Sequence, residues 1–334
     1  MFIVDSYFIA VILCVVTMIC WGSWGNTQKL AGKTWRYELF YWDYTIGILI
    51  FSLIMALTLG SHGDAGRSFL PDLGQADVAM LGSAVVGGII FNASNILLSA
   101  SVSMAGLAVA FPLGVGLALV LGVFINYFGA PKGDPVTLFI GVALIVIAII
   151  LNGIAASKNS KSGENKNAKK GIILAAVAGI LMSFFYRFVA AAMDLDNFEA
   201  PAAGKLTPYT AFFIFAVGIF LSNFIFNTIL MKKPFDGKPV GYGEYFKGSF
   251  GTHMVGVFGG VVWGLGTLLS YIAAEKAGAA ISYALGQGAP MIAAIWGIFI
   301  WKEFKGAPAS VNKYLTAMFL LFIVGLALIV VAGS

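Results

Sequence analysis

Ten apolar runs recur along this chain between short polar breaks, each close to the roughly 20 residues a helix needs to cross a bilayer. They fall at about 7–27, 39–59, 78–98, 104–128, 136–156, 171–192, 208–231, 252–273, 279–300 and 314–332. Soluble domains carry about 25% charged residues; here 10% are charged and 60% hydrophobic. A water-soluble enzyme, a disordered chain and a disulfide scaffold are excluded. The expected fold class is an all-α polytopic membrane protein with ten transmembrane helices. Ser99–Ser103, which carries no charge, marks the break between the third and fourth spans, and Glu275 and Lys276 mark the matching break later. Cys14 and Cys20, six residues apart on the first span, point to different sides of one helix and cannot bridge.

The basic residues predict an orientation. Loops after odd-numbered spans hold 15 of the 20 Lys and Arg: Lys29, Lys33 and Arg36, then a dense Lys158–Lys170 group, then Lys232 to Lys247, then Lys302, Lys305 and Lys313. The other side holds 4, Arg67, Lys132, Lys205 and Lys276. Cytoplasmic loops are the basic ones, so odd loops are expected inside and both termini outside. No basic leader or small-residue cleavage site precedes the first span, which is expected to be retained.

The chain also resembles itself. Shifted by 172 residues, Gly87–Gly116 overlies Gly259–Gly288 with identities at 9 of 30 positions, among them Gly88/Gly260, Ala105/Ala277, Gly106/Gly278 and Gly114/Gly286. Composition alone gives roughly 2 or 3 in such helices, and shared Gly/Ala/Leu bias remains the plainer reading. Five helices per half would place the halves in opposite orientations, a common transporter plan with a site near the midplane. The domain organisation expected is a first five-helix repeat over 1–156, a cytoplasmic linker over 157–170 rich in Lys, Asn, Ser and Gly, and a second repeat over 171–334.

Few side chains could carry chemistry. Asp43, one turn into span 2, is an intramembrane carboxylate, costly and usually functional; it could take up a proton on one side and release it on the other, or be an interfacial aspartate in an aromatic belt. Asn92, Asn95 and Ser99 recur at i, i+3 and i+7, sharing one helix face, and the repeat places Gly264, Thr267 and Tyr271 on the matching face of the eighth span. Such polar groups line a cavity or bond between helices. Gln287 stands between Gly286 and Gly288, with Pro290 weakening the helix beside it. Arg187 follows Phe184-Phe185-Tyr186 and either holds an anionic group or snorkels towards Asp194, Asp196 and Glu199. Trp21, Trp24 and Trp263 offer flat faces for a ring, or are packing. Thr27 stands where a phosphate loop ending at Gly32-Lys33-Thr34 needs glycine. Two histidines, His62 and His253, form no metal motif, and no catalytic constellation is visible. No cofactor, metal or nucleic acid is expected.

Tyr41-Trp42-Asp43-Tyr44-Thr45-Ile46 resembles the Y-x-D-Y-S-I start of helix 2 in plant ureide permeases. Asn95 followed by Ala105-Gly106 resembles the GN…G pattern of that family and of rhamnose–proton symporters. Thr210-Ala211-Phe212-Phe213 and Trp296-Gly297-Ile298, with Glu303 beyond, are similar to further ureide permease segments. The resemblance runs nearly end to end. It implies the drug/metabolite transporter superfamily, in the branch of ureide permeases and bacterial glucose/ribose/rhamnose uptake proteins: ten helices, two inverted halves, proton-coupled import. It favours Asp43 and Asn95 as functional. Thr267 departs from the family, standing where ureide permeases have a second asparagine, and the central linker is shorter.

The expectation is therefore a multi-pass transporter of the plasma membrane, in a bacterium the inner membrane. It would import a small polar neutral solute, a sugar or a ureide or nucleobase, with protons, sodium being the alternative coupling ion. Asp43 would be the protonation candidate, Asn95, Thr267 and Gln287 the polar contacts, and Trp24 or Trp263 a ring platform. The alternative is a metabolite or drug exporter of the same superfamily. Monomer and homodimer are both compatible with the sequence.

Overall fold

The computed structural model describes residues 1–32, 35–159, 166–302 and 304–334. Lys33 and Thr34, Glu303, and residues 160–165 of the expected linker lie outside the described residues. The elements are α1 (Tyr7–Ala31), α2 (Tyr37–Leu57), α3 (Phe69–Gln75), α4 (Val78–Ala105), α5 (Leu107–Gly129), α6 (Pro135–Asn159), α7 (Lys166–Ala192), α8 (Pro208–Lys232), α9 (Tyr242–Tyr245), α10 (Phe250–Ala277), α11 (Ala279–Gly286), α12 (Ala289–Ile295) and α13 (Ala309–Ala332). Among the described residues ten helical segments are long and apolar enough to span a membrane, α11 and α12 together forming one of them. The protein is an all-α polytopic membrane protein. The short α3 and α9 lie in loops between spans.

The expected spans coincide with these helices, and the differences lie at their ends. Helix α4 does not stop at residue 98 but runs through Ser99–Ser103 to Ala105. The serines are accommodated because their hydroxyls have carbonyl acceptors: Ser103 donates back to the Ala100 carbonyl at 2.8 Å, and Ser101 to the Gly171 carbonyl of α7 at 2.6 Å. The true break is Gly106, at φ +82°, where a residue with a Cβ would be strained. Likewise α10 passes through Glu275 and Lys276 and ends at Gly278, also at φ +82°. Both helices have 28 residues, and their ends are related by the same offset of 172 as the sequence identities. Helix α1 extends past residue 27 to Ala31, and Lys29 lies over the Trp301 ring, 4.5 Å from its centroid.

The packing is interleaved. Helix α1 lies along α10 and α4 along α7, while α2 packs on α10 and α8, and α8 on α4; α6 and α13 form a further pair. Glycines set the closest crossings. A Cβ on Gly260 of α10 would overlap the Tyr44 carbonyl and crowd Gly47 of α2; one on Gly88 of α4 would overlap the Phe215 carbonyl and crowd Gly218 of α8. Polar side chains reinforce the crossings: Asn223 donates to Thr45 Oγ1 at 3.3 Å, and Asn227 to the Glu38 carbonyl at 2.8 Å. Leu and Ile side chains such as Leu53, Ile140, Leu221 and Ile323 stay exposed on the perimeter, where lipid would cover them. One face of the bundle carries Lys29, Arg36, Lys170, Lys232, Lys238 and Lys302 in its helix ends and loops and is termed the basic face below.

Candidate functional site

The centre of the bundle holds a narrow pocket of about 20 Å³, room for about one water molecule. Each helix offers it one stripe at helical spacing: Trp21 and Trp24 from α1, Phe91, Asn95 and Leu98 from α4, Phe111 and Val115 from α5, Met182 and Phe185 from α7, and Trp263 from α10. Trp263 lies halfway along α10, so the pocket sits near the middle of the span. The last wall is the gap between α11 and α12. Helix α11 ends at Gly286, Gln287 is its C-cap, and α12 restarts with Ala289 and Pro290 in its first turn. The expectation of a polar residue beside a weakened helix becomes a break in the helix, with Gln287 and Ala289 lining the cavity. Past this break the backbone makes a π-helical turn at Trp296–Ile300, closed by Trp301 N–H to the Trp296 carbonyl at 2.9 Å.

The walls are mostly aromatic. Trp263 lies between two rings, Phe91 at 4.2 Å and 28° and Trp21 at 6.2 Å and 10°. Trp24 leans on Tyr44 at 4.9 Å and on Phe111 at 6.0 Å. Two amide side chains, Asn95 and Gln287, interrupt this surface, and none of the described lining residues is charged. Asn95 Nδ2 donates to the Tyr41 hydroxyl at 3.3 Å. The Tyr44 hydroxyl behind Trp24 is buried near Asn95 without a well-formed hydrogen bond. In this conformation the cage is too tight for a sugar-sized ring; with its walls parted, its aromatic faces and two amides are the groups that grip and orient a flat or ring-shaped solute.

Thr267 is one step back from the cavity. Its hydroxyl accepts from Trp21 Nε1 at 3.1 Å and donates to the Trp263 carbonyl at 3.0 Å, so it fixes the two stacked tryptophans. Asn92 is buried and turned to α8, where Nδ2 donates to Ser222 Oγ at 2.9 Å. Arg187 is half-buried against Gly129, at the C-terminal end of α5, where a cation meets the negative end of the helix dipole. It lines neither the pocket nor the acidic loop beyond it: Asp194 accepts from the backbone N–H of Ala202 at 2.8 Å, and the ion pair near that loop joins Arg67 and Asp72 at 2.9 Å.

Asp43 belongs to a second polar centre. It is 1% exposed, and both carboxylate oxygens are occupied: Oδ1 accepts from the Tyr245 hydroxyl at 2.5 Å and pairs with His253 Nδ1 at 2.8 Å, and Oδ2 accepts from Trp35 Nε1 at 3.1 Å. The donors come from the α1–α2 loop, from α9 and from the start of α10. Burial, then the hydrogen bond and charge of Asp43, push the Tyr245 phenol above its ordinary range, so it stays protonated and donates. His253 is expected from the sequence to form no metal motif and has no other role assigned there, and nothing local in the sequence marks Trp35 or Tyr245. Among the described residues no group of His, Cys, Asp and Glu could hold a metal ion.

Comparison with known proteins agrees with this architecture. The family model for ureide permeases matches residues 40–170 and 164–332. Ureide permease 1 of Arabidopsis thaliana is 23% identical, over 100% of this chain and 99% of its own. The probable glucose uptake protein GlcU of Priestia megaterium is 24% identical, over 97% and 96%. A solved crystal structure at 16% identity superposes with a TM-score of 0.61, covering 97% of each chain, which shows the fold.

Proposed function

We propose, because the chain belongs to the ureide permease family and its bundle encloses a midplane pocket of rings and amides, that it imports a small neutral polar solute by alternating access, driven by protons. The observation that carries this is the pocket itself. Neutral amides and aromatic faces suit a sugar, a ureide or a nucleobase; a charged solute would be desolvated there with no counter-ion. Asn95 and Gln287 orient the solute, Trp21, Trp24 and Trp263 hold its faces, and Thr267 positions the tryptophans. Asp43 is the coupling group, sodium being the other ion to test.

The matching ends of α4 and α10 and the paired glycine crossings support two inverted repeats, 1–156 and 171–334, joined by a cytoplasmic linker. The charge bias supports a cytoplasmic basic face with both termini outside, in the plasma membrane. The test is uptake into proteoliposomes of ribose, glucose, rhamnose, allantoin and uracil, with and without an inward proton gradient. Gradient-dependent accumulation of one of them is expected. No uptake and no exchange of any of them would contradict the proposal.

A further inference from the structure

A second cavity of about 650 Å³ opens towards the basic face, lined among others by Gln28, Lys29, Tyr37, Glu38, Val102 and Ser103. It stops one helical turn short of the aromatic pocket. On α1, Trp24 lines the pocket and Gln28 the cavity; on α4, Leu98 lines the pocket and Val102 the cavity. Four residues of helix rise about 6 Å. Helices α1 and α4 each pack along other helices, α10 and α7. Between them, Gln28 Nε2 donates to the Ser99 carbonyl at 3.1 Å, and Ser99 Oγ donates to Gln28 Oε1 at 2.9 Å, both side chains being buried. Beside this pair, Tyr41 accepts from Asn95 on the pocket side, and Tyr37, one turn back on α2, lines the cavity.

Towards the opposite face the same path is filled. Tyr186, Tyr271, Phe212 and Phe215 are wholly buried and packed ring on ring at 5.3 to 6.4 Å. Tyr186 also bonds Ser270 and Ser282 at 3.1 and 3.3 Å. We infer that the reciprocal Gln28–Ser99 pair is the gate between the solute pocket and the basic-face vestibule, and that this conformation opens next towards that face. The inference rests on the pocket being the solute site. Opening there separates two mutual hydrogen bonds across one turn of helix and slides past Tyr41 on α2, whereas opening the other way must unpack the Tyr186, Tyr271, Phe212 and Phe215 rings drawn from three helices.

The test uses the full-length protein with Cys14→Ala, Cys20→Ala and a reporter, Val115→Cys, in the pocket wall. In vesicles of known sidedness, a small membrane-impermeant methanethiosulfonate is applied to one face and then to the other. Gln28→Ala, which removes both bonds, should speed labelling from the basic face about tenfold, and Ser99→Ala, which leaves the bond to the Ser99 backbone carbonyl, about threefold; both should leave the opposite face unchanged. The double variant should be no faster than Gln28→Ala alone, because that substitution already removes both bonds. Unaltered labelling from the basic face in both variants, or equal acceleration from both faces, overturns the gate. Protection of the reporter by the transported member of the five-solute panel is scored separately. If it is absent, the pocket reading fails whatever the variants do.

Discussion

Asn95 and Asp43 are both buried polar side chains served by the same helix, α2, yet they are held in opposite ways. Asn95 has a hydrogen bond to Tyr41 at 3.3 Å and faces a cavity. Asp43, two residues beyond Tyr41, has both oxygens occupied by donors from three other segments. Residues i and i+2 point to different sides of a helix, so α2 shows Tyr41 to α4 and Asp43 to α10. The contrast separates two tasks. A side chain that recognises a solute needs spare hydrogen-bonding capacity facing empty space, whereas one that couples motions needs partners drawn from elements that move relative to one another. Helix α2 carries both Asp43 and Tyr41, the hydrogen-bond partner of Asn95; the proposed coupling of Asp43 to the pocket would run along this helix.

Substitutions can break or sharpen this contrast. The largest effect is expected for Asp43→Asn: accumulation driven by the proton gradient is lost, while exchange of the same solute across vesicles without a gradient persists. Undiminished accumulation would remove Asp43 from coupling. Next comes Asn95→Ala, which removes a pocket hydrogen bond and should weaken solute affinity by about 10- to 100-fold, read from concentration-dependent exchange. Thr267→Val leaves the Trp21 indole N–H without its acceptor; affinity should fall by about fivefold, the scale of one hydrogen bond, by loosening the ring stack. Tyr44→Phe should change least. Its hydroxyl lies near Asn95 but makes no well-formed hydrogen bond, so melting temperature should hold or rise, and affinity should fall by no more than about threefold.

The spans were legible because hydrophobic run length reports them directly, and Asp43, Asn95 and Gln287 stood out as polar residues in apolar surroundings. Span ends were less so. Ser99–Ser103 read as a break by its polarity, but serine hydroxyls bond back to carbonyls, and the backbone turns instead at Gly106, where the left-handed φ is needed. The pocket walls were legible only where tryptophan is rare. Phe91, Phe111 and Phe185 are three of 28 phenylalanines, and nothing local distinguishes one that faces a cavity from one that faces lipid. The Asp43 partners were hidden by distance: Tyr245 and His253 lie 202 and 210 residues away, and only the fold brings them together. Arg187 was conspicuous for its charge, but a helix end accounts for its place.

The most direct test is equilibrium binding to purified wild-type, Asn95→Ala and Asp43→Asn protein. The ligand is the panel solute the wild type transports, and the readout is intrinsic tryptophan fluorescence, since Trp21, Trp24 and Trp263 line the pocket. The account predicts that Asp43→Asn binds like wild type and that Asn95→Ala binds about 10- to 100-fold more weakly. Wild-type affinity in Asn95→Ala, with binding lost in Asp43→Asn, would contradict it and move the solute site to the Asp43 cluster.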